Sequence, residues 1–262
     1  MVQLTAKDLD GLERDMLRLP DSEAARAAEM REFIANQRAG LAAPACVSVT
    51  LPTGEARVWM QPIPVTLRDN AARALAERNV IGFLITAGNE RSVELVYYNR
   101  EPLAVLSILE DAVREALAAT RTNNCQWPSS WLLELLDSCD REKLRGAGDP
   151  LPTGEVLRVY RGIAGDGALR RPRGISWTLD RERAAWFATR IPSLPQPAVL
   201  EAKIAREHVY YYTDGRKESE VVLNPRRLRE VRMRPRLELA EAQARFNRNA
   251  ATVVTSKGEG EA

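Results

Sequence analysis

Histidine is nearly absent: the chain of 262 residues holds one, His208. A Ser-His-Asp arrangement or a His-rich metal site would hang on that single residue, which stands beside Glu207 and reads as an ordinary surface histidine. Cysteine is scarce as well. Cys46, Cys125 and Cys139 lie far apart, and no Cys-x-x-Cys occurs. This argues against a zinc site, a redox motif or a disulfide framework, and it suits three buried thiols in a reducing compartment. Charge of one sign is not in excess. Lys and Arg number 38 against 36 Asp and Glu, a net of +2, so no chain-wide field points to nucleic acid or to a membrane. Long apolar runs are missing too. The longest uncharged stretch, Ala39 to Gly54, contains two prolines and cannot serve as a spanning helix. Charge from Lys7 onward leaves no signal-peptide apolar region. The expected location is cytoplasmic, with no membrane partner and no metal. Carboxylates, arginines and hydroxyls remain to do any chemistry.

What is there suggests an α+β protein. Residues 6–38 read as helical with a break at Leu19-Pro20-Asp21-Ser22. From Ala45 the period becomes two, and Pro52-Thr53-Gly54-Glu55 turns the chain into a second strand, Ala56 to Met60, a hairpin. Asp69 to Arg78 reads as helix, Val80–Thr86 and Val93–Tyr98 as a strand pair around Gly88-Asn89-Glu90, and Pro102 to Thr120 as helix. Residues 1–120 thus form a small α+β module without a catalytic motif, suited to binding a partner or a target. Residues 121–150 read as a helical connector, with a helix over Trp131–Leu144. A strand-rich region, 151–250, follows: Val156–Arg161, Gly174–Leu179, Val199–Ile204, Val209–Tyr212 and Glu218–Leu223, with a helix over Asp180–Arg190 and a last one over Leu237–Asn247. Residues 251–262 read as a flexible tail. The pentapeptide Leu-Pro-Thr-Gly-Glu stands at 51–55 and again at 151–155, which the turn chemistry of Pro and Gly explains without a structural repeat.

Three segments of the second half stand out. In Leu157-Arg158-Val159-Tyr160-Arg161-Gly162, strand alternation puts Arg161 on the face of Leu157 and Val159. A core-facing arginine calls for an anion, either a carboxylate or a ligand phosphate. Gly162 would let another backbone or a ligand come close. In Gly174-Ile175-Ser176-Trp177-Thr178-Leu179-Asp180, the Ser176 and Thr178 hydroxyls share a face and suit a carboxylate or a ribose, while Asp180 caps the next helix. In Lys217-Glu218-Ser219-Glu220-Val221, two carboxylates open an apolar strand. Such a pair allows one to stabilise positive charge while the other handles a proton. Tyr210-Tyr211-Tyr212 just before it would stack on a substrate or serve as strand aromatics. Singly, each segment also has a plain structural explanation: a salt-bridged arginine, strand hydroxyls, a solvated acidic edge.

In this order, Tyr160-Arg161, Ser176-Trp177-Thr178 and Glu218-Ser219-Glu220 resemble the Arg-Ser-Glu class of mono-ADP-ribosyltransferases, in its bacterial toxin and phage-associated branch. The resemblance spans residues 150–236, with Trp177 in place of the usual middle threonine. It implies a split β-sheet in the C-terminal domain and NAD as co-substrate. Glu220 would stabilise the developing ribosyl cation, and Ser176 and Thr178 would hold Glu220 and the ribose. Arg161 would bind the NAD phosphates or brace the site. Glu218 would act on the accepting nucleophile, and Tyr211 and Tyr212 would lie in a target-recognition region. Trp177 would flank the nicotinamide only if its ring turned from its predicted face. The implied reaction moves ADP-ribose to a macromolecule, a protein arginine first and RNA or DNA as the alternative. An antitoxin or inhibitor is a conceivable partner. A non-catalytic binding protein on the same scaffold is the competing class. Local arginine density fits phosphate binding: seven arginines fall in 158–183 and six in 226–236.

Overall fold

The computed structural model describes residues 6–16, 24, 27–32, 34–35, 45–120, 126–215 and 217–234. Cys125, the expected helix over Leu237–Asn247 and the 251–262 tail lie outside these, as does most of 17–44. The protein is α+β, and its chain divides into two compact units, Met1–Arg121 and Thr122–Ala262.

The first unit opens with a helix, Ala6–Met16, and contains the hairpin β1 (Cys46–Leu51) and β2 (Gly54–Trp59). Leu51 pairs with Gly54 across the turn, where Gly54 takes φ 121°. Helices follow over Arg68–Ala76, Val80–Ile85, Ser92–Tyr98, Arg100–Val105 and Leu109–Ala119. Two of them correct the expected strand pair. Val80–Ile85 and Ser92–Tyr98 are short β-branched apolar runs, which suit either period. The cap decides the first: the Asn79 carboxamide oxygen accepts from Gly82 N at 2.9 Å. Phe83 and Leu84 are then buried while Ile81 and Ile85, one turn apart, face solvent. The helix expected over Pro102–Thr120 is two helices. Ser107 turns left-handed at φ 59°, and Ser107 N and Ile108 N donate back to Ala104 O (2.9 Å) and Leu103 O (3.0 Å), which closes the first of them. Asn99, fully buried, ties hairpin to helices. Its amide donates to Trp59 O (2.8 Å) and Leu95 O (2.9 Å), and its oxygen accepts from Trp59 N (2.7 Å).

The second unit begins with helices Ser129–Asp137 and Arg141–Gly146, where one helix over Trp131–Leu144 was expected. Asp140 interrupts it because its carboxylate caps Glu142 N (2.9 Å) and Lys143 N (3.1 Å). Six antiparallel strands follow: β3 (Val156–Ile163), β4 (Ser176–Thr178), β5 (Ala198–Ala205), β6 (Val209–Thr213), β7 (Glu220–Leu223) and β8 (Arg229–Met233). Their order is β6-β7-β4-β3-β5-β8. Strand β8 was not anticipated; every residue in it is exposed and three of five are charged, so it carries no apolar pattern. The two helices are bound to this sheet. Tyr210 Oη donates to Asp137 Oδ1 at 2.6 Å, and Arg145 Nη2 donates to Val209 O at 3.1 Å. Residues 126–150 are therefore part of the second unit.

The sheet is uneven in a way that matters. β3 pairs with β5 along its whole length, Val156↔Ala205 to Ile163↔Ala198. With β4 it shares a single register pair, Tyr160↔Thr178. Beyond that pair their ladder ends. Leu157, Val159, Trp177, Leu200, Ile204, Val221 and Leu223 fill the core on one face. On the other, the Arg181–Thr189 helix lies on β3 through Ala184 and Ala185.

Candidate active site

The site forms where β3 and β4 part. Arg161 on β3 is 4% exposed. Its Nε donates to Arg171 O at 3.2 Å and its Nη1 to Ser176 O. Its Nη2 is buried without a hydrogen-bond partner. The guanidinium lies over Gly174, where a Cβ would collide with it. Burial, then the nearby charge of Arg171, lowers its pKa to about 10 against the pull of Glu220, so it stays charged at neutral pH. The Arg161 side chain bonds the segment leading into β4, where the ladder has ended.

Ser176 and Thr178 sit two apart on β4 and so share a face. Ser176 Oγ donates to Glu220 Oε1. Thr178 pairs in register with Glu220, and its hydroxyl donates to Glu218 O at 2.6 Å while accepting from Asp180 N at 3.0 Å. Asp180 caps the following helix through Glu182 N (2.7 Å) and Arg183 N (3.2 Å).

Glu218 and Glu220 are both half-buried. The strand expected from Glu218 starts only at Glu220. Glu218 belongs to the β6–β7 loop, between Lys217 (φ 54°) and Ser219 (φ 44°), both in a left-handed conformation unusual for residues with a side chain. The two glutamates therefore stand on different backbones, one regular and one irregular. Asp214 was missed by sequence reasoning. Its Oδ1 accepts from Ser219 N (2.9 Å) and Ser219 Oγ (3.1 Å).

Other expected residues lie elsewhere. At Gly162 the close neighbour is backbone: a Cβ there would run into Ala184 O and stand 2.6 Å from Ala188 N. Trp177 is buried in the core, its indole N–H donating to Gly174 O at 2.9 Å, as its predicted face required. Tyr211 is buried and Tyr212 half-buried. Both line a cleft of about 290 Å³ with Arg145, Asp149 and Arg206, none of which belongs to the Ser176–Glu220 cluster. His208 Nε2 stands 3.4 Å from Glu207 Oε1, away from the site. Among the described residues, no group of three His, Cys, Asp or Glu could hold a metal ion, and no helix is long and apolar enough to cross a membrane.

Comparison with known protein families, with curated proteins and with solved structures finds no match for this chain.

Proposed function

We propose that the second unit transfers ADP-ribose from NAD to a macromolecule, at a protein arginine, with release of nicotinamide. The observation that carries this reading is the Ser176–Glu220 hydrogen bond, set in the parting of the sheet beside the buried charge of Arg161. A carboxylate oriented in advance suits a reaction in which positive charge develops on a ribose, because the group need not reorganise as the charge appears. Hydroxyls and half-buried carboxylates are also the donor set that a nicotinamide ribose would meet. Half-burial strengthens the charge interaction while leaving the carboxylates reachable.

NAD supplies the ribosyl group and, in nicotinamide, its leaving group. Glu220 stabilises C1′ as the bond to nicotinamide breaks and its electron pair departs with the ring, an oxocarbenium-like transition state. Glu218 takes the proton that the acceptor guanidinium sheds as its nitrogen bonds to C1′, and passes it to water. Ser176 fixes Glu220, and Thr178 fixes the backbone of Glu218. Arg161 braces β3 against the approach to β4. Arg171 and Arg173, on the turn before β4, add positive charge for the diphosphate.

The test is nicotinamide release by the full chain, with labelled NAD and a bacterial lysate. Release by the native protein is expected, with a loss of at least about a hundredfold in Glu220→Gln at unchanged Tm. Label on macromolecules should disappear with protease. No release by the native chain, or full activity in Glu220→Gln, overturns the proposal. A label that resists protease and yields to nuclease moves the acceptor to nucleic acid.

A further inference from the structure

The two glutamates are supported by separate structures. Glu220 stands on β7 and takes its hydrogen bond from Ser176. Glu218 stands in the loop from Thr213 to Glu220, whose ends are register partners. Three consecutive carbonyls of that loop are each engaged by residues between Thr178, the end of β4, and Arg183. Lys217 O accepts from Arg183 Nη2 (2.7 Å), Glu218 O from Thr178 Oγ1 (2.6 Å) and Ser219 O from Leu179 N (3.0 Å). From the opposite side Asp214 closes the loop on itself. Its carboxylate accepts from Ser219 N and Oγ, and its carbonyl from Lys217 N at 2.7 Å. Asp214 is itself anchored, its N–H donating to Asp149 Oδ2 at 2.7 Å. Left-handed backbone at Lys217 and at Ser219 is disfavoured for such residues and persists only where surrounding bonds over-determine it.

We infer that Asp214 is a positioning residue that holds Glu218 for the acceptor, so that the loop decides between transfer to a guanidinium and loss of the ribosyl group to water. This rests on the proposed transferase activity. Water needs little help to attack a ribosyl cation that Glu220 stabilises, whereas a guanidinium must lose a proton in the right geometry. Loosening the loop therefore costs transfer more than NAD cleavage. Arg183 acts from the other side through Lys217.

The experiment uses the full chain with NAD and L-arginine amide as acceptor. It measures ADP-ribosyl-arginine amide and free ADP-ribose in the same reaction. For Asp214→Ala the ratio of transfer to hydrolysis should fall roughly tenfold. Asp214→Asn keeps the accepting oxygen and should restore it. Ser219→Ala, which removes one of the two bonds to that oxygen, should fall between. Asp214 is exposed, and Tm checks that each variant is folded. If Asp214→Ala fails to fold, Arg183→Ala replaces it, with the same fall expected. Equal ratios in the native protein and the alanine variant overturn the inference alone. So does an equal fall in both products, or an asparagine variant as poor as alanine. A native chain that cleaves no NAD, or cleaves it without modifying arginine amide, overturns the arginine-transfer reading and the inference with it.

Discussion

Buried polar groups do different work in the two units. In the first they serve their own neighbourhood: Thr86 Oγ1 donates to Phe83 O at 2.6 Å, Ser92 Oγ to Gly88 O at 3.1 Å, and Asn99 stitches β2 to the helix beside it. The first two close helix ends within a turn of their own residue, and the third satisfies β2 from a distant part of the chain. In the second unit they span the sheet. Arg161 reaches from β3 to Ser176 O, Ser176 to Glu220 on β7, and Thr178 to the loop before it. One buried donor there, Arg161 Nη2, has no hydrogen-bond partner. A donor left buried and charged within reach of the Glu220 charge costs stability.

That contrast can be broken by substitution. The largest effect should come from Gly162→Ala. Its methyl meets backbone of the Arg181–Thr189 helix rather than a flexible side chain, and the cost should be about 3 kcal/mol, read as a lower Tm of the second unit. A loss this large would place that unit's stability in close packing rather than in its polar cluster. Asn99→Ala removes three hydrogen bonds in the first unit and should cost about 2 kcal/mol by denaturant unfolding, with NAD cleavage unchanged. Ser176→Ala should do the reverse: NAD cleavage falls about tenfold, or 1.4 kcal/mol, while Tm hardly moves. Parallel loss of stability and activity in both variants would erase the distinction. The smallest effect is a pH dependence at Tyr210. Burial, then its hydrogen bond to Asp137, raises its pKa above the ordinary 10.0. The neutral phenol is therefore favoured in the folded state. The associated stability is complete below 10.0 and declines as pH climbs beyond it, which phenolate absorbance and melting in alkaline buffers would follow.

The sequence carried β3, β5 and β7 because each is an apolar run or an alternation with few competing readings. It misled at Val80–Ile85 and Ser92–Tyr98, where six- and seven-residue apolar stretches are too short for period to decide. There the informative residue was the cap, Asn79. The same holds at Asp140 and Ser107, each of which divides one expected helix into two. For the site, alternation correctly placed Arg161 on a buried face and Ser176 with Thr178 on a shared one. It could not show that Glu218 stands outside β7. Left-handed backbone at Lys217 and Ser219 goes with bonds both to Asp214 nearby and to Thr178, Leu179 and Arg183 far along the chain, and nothing in Lys-Glu-Ser-Glu itself encodes it. In β6 the irregularity between Val209 and Tyr211 likewise upsets simple in-and-out counting along the strand. The repeated pentapeptide is a smaller lesson in local chemistry. Gly54 and Gly154 adopt nearly the same φ, 121° and 117°, yet the first closes a hairpin and the second leads into β3.

The parting of β3 from β4 has an evolutionary consequence. A seam between strands is ordinarily made of main chain, which almost any residue supplies, so its width is inherited with the fold. Here, past Tyr160↔Thr178, the seam is held by the Arg161 side chain. One side chain therefore bonds the approach to β4 where main-chain pairing has stopped. Exchange of that arginine would let selection adjust the gap without rebuilding either strand.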